Sequence, residues 1–339
     1  MREIALVRSA GRIDVRAKVN YLRLLGMVSL LAICGTPAIA DSNCALKQVA
    51  SVPADFKHGG IIIDVGVGDQ TVKFVLGTGM TFTEINGVAA QRLGLARSER
   101  RIRMNSALGT TERDVFIVSD FRLGQMVSRA NNFVATEDYG DGADNGVVGL
   151  LGQDFLFNYD VELDPSQGLV NFFLPIECAG HAAYWSDEHF EIPLSVSQNK
   201  ELATELTLDG KSFRAYLDTA SSKSSIDITE ARRQLDVPAD IEAPEPPRLG
   251  AVGPRPPNPT YVFKELVFGP ITLRNPKLEL KRYRTLATHG SHIQETYSEE
   301  APVSIGMDVL GKFHSMISYR NDMMYFTLPN ERNPGPPKP

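Results

Sequence analysis

The stretch Phe213-Arg214-Ala215-Tyr216-Leu217 alternates as a half-buried strand does and runs into Asp218-Thr219-Ala220. Ser221, Ser222, Ser224 and Ser225 follow, so a carboxylate stands at the mouth of a small, polar loop. A carboxylate so placed can move protons for a water molecule. The neighbouring serines could suggest a nucleophile, but a loop that needs short hydrogen-bonding side chains accounts for them better. The six histidines, His58, His181, His189, His289, His292 and His314, are scattered with no pair at helical ligand spacing, so none is assigned to a metal or a nucleophile. No cofactor is expected.

The Asp218 segment has a double. Asp209 to Ala220, with Ser221-Ser222-Lys223-Ser224-Ser225-Ile226 after it, aligns without a gap on Gly68 to Gly79 and Met80-Thr81-Phe82-Thr83-Glu84-Ile85. Each copy begins at a Gly/Asp turn, rises as a strand, breaks into a small loop and passes into a short helical stretch, Gly87 to Leu95 or Thr229 to Leu235. A second pair of segments closes each copy. Leu150-Leu151-Gly152-Gln153-Asp154 leads to a hairpin turning at Pro165-Ser166-Gln167-Gly168, and Ser304-Ile305-Gly306-Met307-Asp308 leads to one turning at Arg320-Asn321-Asp322. A chain written twice in this way folds as two similar lobes. In the alignment Asp218 meets Gly77, while Thr219 meets Thr78 and Ala220 meets Gly79. Asp64, Asp69 and Glu84 fall outside the register and read as surface or turn residues.

The apolar-Asp-Thr loop and the later apolar-apolar-Gly segment before a hairpin, found twice, resemble the lobes of aspartic peptidases, and most nearly the compact retropepsin-type lobes of bacterial tandem proteins. The likeness covers nearly all of residues 56–328. It implies a mostly β fold, two tandem β-barrel lobes related by a pseudo-twofold axis around one cleft, each lobe lending one loop. It also implies that Thr78 and Thr219 hydrogen-bond across that axis. Hairpins closing over the cleft would lie at Asn105 to Thr111, with Leu108, Gly109 and Thr110 at the tip, and at Leu249 to Pro254, with Gly250, Ala251 and Val252. The second is followed by prolines that remove backbone donors, and it reads equally as a less mobile flap or a plain surface loop. The expected lobes span residues 41–180 and 181–330.

In the family, two carboxylates a few ångströms apart share one proton, because like charges that close cannot both ionise. One takes a proton from water while the other hydrogen-bonds the scissile carbonyl. Here Asp218 is retained and Gly77 stands at the partner position. Ala220 departs too, since a Cβ there obstructs torsions and close approaches that glycine permits. The expectation is therefore a weakly active or inactive homologue that holds an extended peptide or protein segment. The alternatives are an active endopeptidase working through Asp218 alone, and an assembly module whose Pro-rich stretches (Pro244 to Pro247, Pro254 to Pro259) make contacts. Rescue of the dyad by dimerisation competes with the tethered lobes, so a monomer is expected.

Six basic residues among the first 23, an apolar stretch from Leu24 to Ile33 and the small-x-small site Ala38-Ile39-Ala40 form the layout of a signal peptide, so residues 1–40 are expected to be removed on export, to the periplasm or beyond. No later segment is apolar for long enough to cross a bilayer as a helix. Cleavage leaves 29 basic against 39 acidic residues, a net charge of −10, which gives no concentrated basic surface for nucleic acid. It also leaves two cysteines, Cys44 and Cys178, as a disulfide candidate in an oxidising compartment. The Pro-rich end, residues 331–339, is expected to be disordered.

Overall fold

The computed structural model describes residues 46–57, 59–106, 109–129, 131–137, 146–175, 182–196, 201–244, 256–282, 286–289, 292–295 and 301–328. The leader 1–40, Cys44, Leu108, Cys178, Gly250, Ala251, Val252 and the tail 331–339 lie outside them.

Each lobe grows from a hairpin. In the first, Ile61–Val67 pairs with Gln70–Leu76, and in the second Leu202–Leu208 pairs with Lys211–Leu217. The turn of the second is Asp209-Gly210, with φ of 47° and 77°, the left-handed pair that a right-twisted two-residue hairpin demands. Alternation along these strands sends Ile61, Ile63, Val65 and Val67 inward, and likewise Phe213, Ala215 and Leu217.

The rest of each lobe wraps around its hairpin in the same order. Val147–Leu151 lies parallel to Gln70–Leu76, and Val303–Ile305 lies parallel to Lys211–Leu217. Glu84–Asn86 then joins antiparallel and Asn131–Thr136 parallel, as Ser225–Asp227 and Lys277–Lys281 do in the second lobe. The helices are short and capped alike. Asn86 accepts from the amides of Val88 and Ala89 at the start of Gly87–Arg92, and Asp227 from those of Thr229 and Glu230 at the start of Ile228–Gln234.

The lobes meet in one antiparallel sheet of six strands, in the order Phe190–Pro193, Met323–Thr327, His314–Ser318, Asp160–Asp164, Leu169–Phe173, Gln48–Asp55. Its middle seam pairs Val161 with Ile317, Glu162 with Met316 and Leu163 with Ser315, a palindrome about the Glu162–Met316 pair. One hydrophobic core runs through both lobes and the inner face of this sheet. The outer face carries a smaller cluster, in which Ala182, Ala183 and Trp185 cover Phe173, Met316 and Tyr325. The architecture is thus mostly β, with two lobes about a pseudo-twofold axis.

The halves differ at one edge. Gly109–Val118 pairs with the long strand Ala96–Ser106, which forms the sheet edge. Its counterpart Thr260–Val262 has no such partner among the described residues. Residues 241–244 run as irregular chain toward Pro244, whose ring removes a donor that a ladder would need.

Candidate active-site cleft

Leu76 and Leu217 end their strands with their side chains in the core, so the next residues turn toward the axis between the lobes. Thr78 and Thr219 are both fully buried there and exchange hydrogen bonds. The Thr78 amide donates to Thr219 Oγ1 at 3.1 Å and the Thr219 amide to Thr78 Oγ1 at 3.1 Å. Each hydroxyl also donates to the opposite strand, Thr78 Oγ1 to the Leu217 carbonyl at 2.6 Å and Thr219 Oγ1 to the Leu76 carbonyl at 2.5 Å. Four reciprocal bonds in a dry setting fix the two loops to each other.

Behind the loops the supports also repeat. Asp154 Oδ1 accepts from the amide and hydroxyl of Thr83, and Asp308 Oδ1 from those of Ser224, at 2.8 and 2.7 Å in both cases. Thr83 Oγ1 takes the Gly152 amide at 3.1 Å, and Ser224 Oγ takes the Gly306 amide at 3.0 Å. A Cβ on Gly152 or Gly306 would lie 2.3 or 2.6 Å from the backbone of Phe82 or Lys223, so both positions require glycine. Gly77 and Asp218 occupy equivalent places: their amides donate to Leu151 and Ile305 at 3.0 and 2.9 Å.

At that shared position the chemistry diverges. Asp218 is half-buried; its Oδ1 accepts from the Ala220 amide at 3.0 Å and its Oδ2 from Ser221 Oγ at 2.6 Å. Gly77 is buried, and a Cβ built on it would meet Leu150 Cδ1 at 2.6 Å and Cδ2 at 2.9 Å. Leu150, itself fully buried, fills the place of a side chain at 77. In the register of the second lobe, Ser304 stands where Leu150 stands in the first: Leu150 pairs with Val75 and Glu84, Ser304 with Tyr216 and Ser225. Met80 replaces the supporting hydroxyl of Ser221. Sequence reasoning did not assign a role to Leu150, although the gapless alignment sets it opposite Ser304.

Gly79 and Ala220 follow from the same asymmetry. A Cβ on Gly79 would sit 3.0 Å from Asp218 Cγ, so a methyl there would press on the carboxylate across the axis, which would have to give by a few tenths of an ångström. The pseudo-twofold carries this contact onto Ala220 and Gly77, where there is no carboxylate to crowd. Ala220 is not at positive φ, so its methyl costs the loop no torsional strain. The sequence-based expectation that Ala220 obstructs the loop's torsions is corrected accordingly; the restriction is one of approach.

One further side chain braces the first loop. Gln153, fully buried, donates Nε2 to the Thr78 carbonyl at 2.5 Å, whereas the Thr219 carbonyl takes the Ile61 amide at 3.1 Å. Its counterpart Met307 could not serve. Among the acidic residues set aside on register, Asp64 is exposed and paired with Lys73 at 2.7 Å, but Glu84 is only 4% exposed, a correction to its reading as a surface residue. Gly109 and Thr110 begin the Gly109–Val118 strand at the tip of the long hairpin.

Residues 63–155 match the sequence model of a family described as aspartyl protease. No curated protein matches the sequence. Among solved structures, basic 7S globulin from soybean superposes with a TM-score of 0.46 at 9% identity, covering 84% of this chain and 95% of that one. Residues 63–155 of the first lobe are thus similar to an aspartyl protease, and the second lobe repeats the threonine brace and the Asp154/Asp308 supports of the first.

Proposed function

We propose that this chain is an exported aspartic-peptidase homologue that has lost one catalytic carboxylate and holds extended peptide between its lobes without hydrolysing it efficiently. The observation that carries the reading is the pairing of Gly77 with Leu150. The missing carboxylate is accompanied by a plug in the space it would need, by loss of the supporting hydroxyl at Met80, and by a methyl at Ala220 that would crowd a carboxylate at 77. Four changes around one position agree with one another, and the threonine brace is kept. A dyad works as a unit, and each acid–base group is worth roughly 10²–10⁴-fold in rate, so Asp218 alone leaves little catalysis. Peptide held here would pair as an added strand, with little dependence on side-chain identity. Export, to the periplasm, is supported by the basic, apolar and small-residue order of residues 1–40.

The test uses the chain from Asp41 on, incubated with a labelled unfolded protein. The wild type should bind without cleaving. Gly77→Asp alone should remain inactive, because Leu150 and Ala220 occupy its surroundings. Gly77→Asp, Met80→Ser, Leu150→Ser and Ala220→Gly together, which rebuild the first loop as the image of the second, should cleave, and Asp218→Asn should abolish that cleavage. Wild-type cleavage that disappears in Asp218→Asn would establish instead that one carboxylate suffices.

A further inference from the structure

The long hairpin of the first lobe is a basic feature on an acidic chain. Residues 92–114 hold six arginines against Glu99, Glu112 and Asp114, a net charge of +3. The chain from residue 41 on carries −10, so everything outside the hairpin carries −13. Arg97, Arg101 and Arg103 of the Ala96–Ser106 strand share two carboxylates of the neighbouring strand. Arg97 Nη1 stands 3.2 Å from Asp114 Oδ2, Arg101 Nε 2.9 Å from Asp114 Oδ1, and Arg103 Nη2 3.6 Å from Glu112 Oε1. The three therefore lie on one face, and each remains more than half exposed. Arg100 is exposed as well, and its guanidinium meets no carboxylate among the described residues. Arg113 points elsewhere, donating Nη1 to the Ala135 carbonyl at 3.2 Å.

The strand that carries these arginines ends its sheet. Gly109–Val118 pairs with it on one side, and among the described residues no strand pairs with it on the other. Its outer backbone donors and acceptors are thus open to a further strand. The edge is interrupted once. Arg97 pairs with Phe116 but Arg101 with Asp114, so two extra residues are inserted between them, and the Arg100 amide turns to Ser98 Oγ at 3.1 Å. Such a bulge bends and twists the strand, which leaves Arg101 to Ser106 as the continuous run.

Bulges and edge charges keep like copies apart. A second copy added antiparallel would bring arginine toward arginine, and like charges facing across a ladder weaken it. A strand of opposite charge meets no such penalty. Acidic side chains at alternate positions of an added strand would all fall on the face of Arg101 and Arg103. Each guanidinium would then lie between a carboxylate of its own hairpin and one of the newcomer.

We propose that the outer edge of the Ala96–Ser106 strand docks an extended acidic segment of a partner protein, which adds to the sheet beside Arg101 and Arg103. Main-chain pairing anchors it and the arginines select it. The field of the hairpin, set against an acidic remainder, steers the partner to this edge. Guanidinium groups stay charged throughout the working pH range, so the docking depends on salt rather than on pH. This surface is separate from the peptide-holding cleft and does not rest on that reading.

The test uses the chain from Asp41 on and a labelled peptide of alternating glutamate and valine, capped at both ends, with fluorescence anisotropy as the readout. The peptide should bind at low salt, and its glutamine counterpart should bind about tenfold more weakly or worse. Arg100→Glu with Arg103→Glu should weaken binding by about tenfold or more, whereas Arg100→Lys with Arg103→Lys should stay within roughly threefold. Both arginines are exposed, and the pairs that Arg97 and Arg101 make with Asp114 are untouched by these changes. Hydrogen exchange locates the peptide: amides of 101–106 should gain protection when it is added. Protection confined to the loops at 77–80 and 218–222, unchanged by the arginine variants, would place the peptide in the cleft and overturn this proposal while supporting the cleft reading. Equal affinity for the glutamate and glutamine peptides, or no binding of either, overturns the acidic docking edge as well. Sedimentation of the protein alone gives the remaining outcome: a dimer abolished by the glutamate variants would make the edge a contact between copies instead.

Discussion

Leu150 Cδ1 lies 2.6 Å from the point that a Cβ on Gly77 would occupy, so the two residues are complementary in size; Ser304 holds the place of Leu150 in the second lobe's register. Overpacking a dry site costs about 1–3 kcal/mol. Gly77→Asp should therefore destabilise by about that much. Leu150→Ser should cost about 2–5 kcal/mol as a large-to-small change. In the double variant the serine removes the clash, and the combined loss should fall short of the sum by roughly 1 kcal/mol or more. Denaturant unfolding of the four proteins measures the coupling, and strict additivity would refute the plug.

Thr219→Val removes a hydroxyl that accepts from the Thr78 amide and donates to the Leu76 carbonyl, leaving two buried backbone groups unpaired. At about 1–3 kcal/mol each, the loss should be roughly 2–5 kcal/mol. Thr78→Val should cost nearly the same, because its bonds are the mirror image, and the double variant should cost less than the two together. A large difference between the single variants would show that the brace is not symmetric in energy as it is in geometry.

The repeat that organises this molecule was legible because its signals are local. A Gly/Asp turn, an alternating strand and a Thr after the strand end each follow from a few adjacent residues, and the same supports recur on Asp154 and Asp308. What the chain's order did not reveal depends on distance. Leu150 reads as one more core aliphatic until its register opposite Gly77 is known. Gln153 reads as a helix residue, and the hydrogen bond that its Nε2 donates to the Thr78 carbonyl spans 75 positions. His314 and Glu162, 152 positions apart, are brought together only by the seam between lobes. Glu84 read as surface because charge ordinarily is, and the strand that buries it is set by pairing on both sides.

Gly79 and Ala220 should respond unequally to exchange. Gly79→Ala places a methyl 3.0 Å from Asp218 Cγ and should destabilise by about 1–3 kcal/mol. The cost should vanish when Asp218 is also changed to Gly, which reproduces the arrangement at Gly77. Ala220→Gly, by contrast, relieves nothing and should lower stability by no more than about 1 kcal/mol, the entropic penalty of a freer loop. Thermal unfolding of these variants distinguishes a restriction by the facing carboxylate from one by loop torsion, because a torsional restriction would persist without Asp218.

Asp160 supplies the clearest dependence on pH. It is 3% exposed, and burial, outweighing the backbone hydrogen bonds from Tyr319 and Arg320, raises its carboxyl to about 6. An acid whose pKa is higher in the folded state binds its proton more tightly there than in the unfolded chain. Folding is then undisturbed below about pH 4, and stability declines as pH rises through about 4 to 6. At neutral pH the buried charge costs on the order of 3 kcal/mol. Asp160→Asn keeps an oxygen to accept the Tyr319 amide, which donates to Oδ1 at 3.1 Å, and carries no charge. The variant should match the wild type near pH 4 and exceed it by a few kcal/mol, at most about 3, above pH 6. Unfolding free energies of the pair across this range give the test, and a difference that does not change with pH would mean that the carboxyl at 160 is not titrating in the fold.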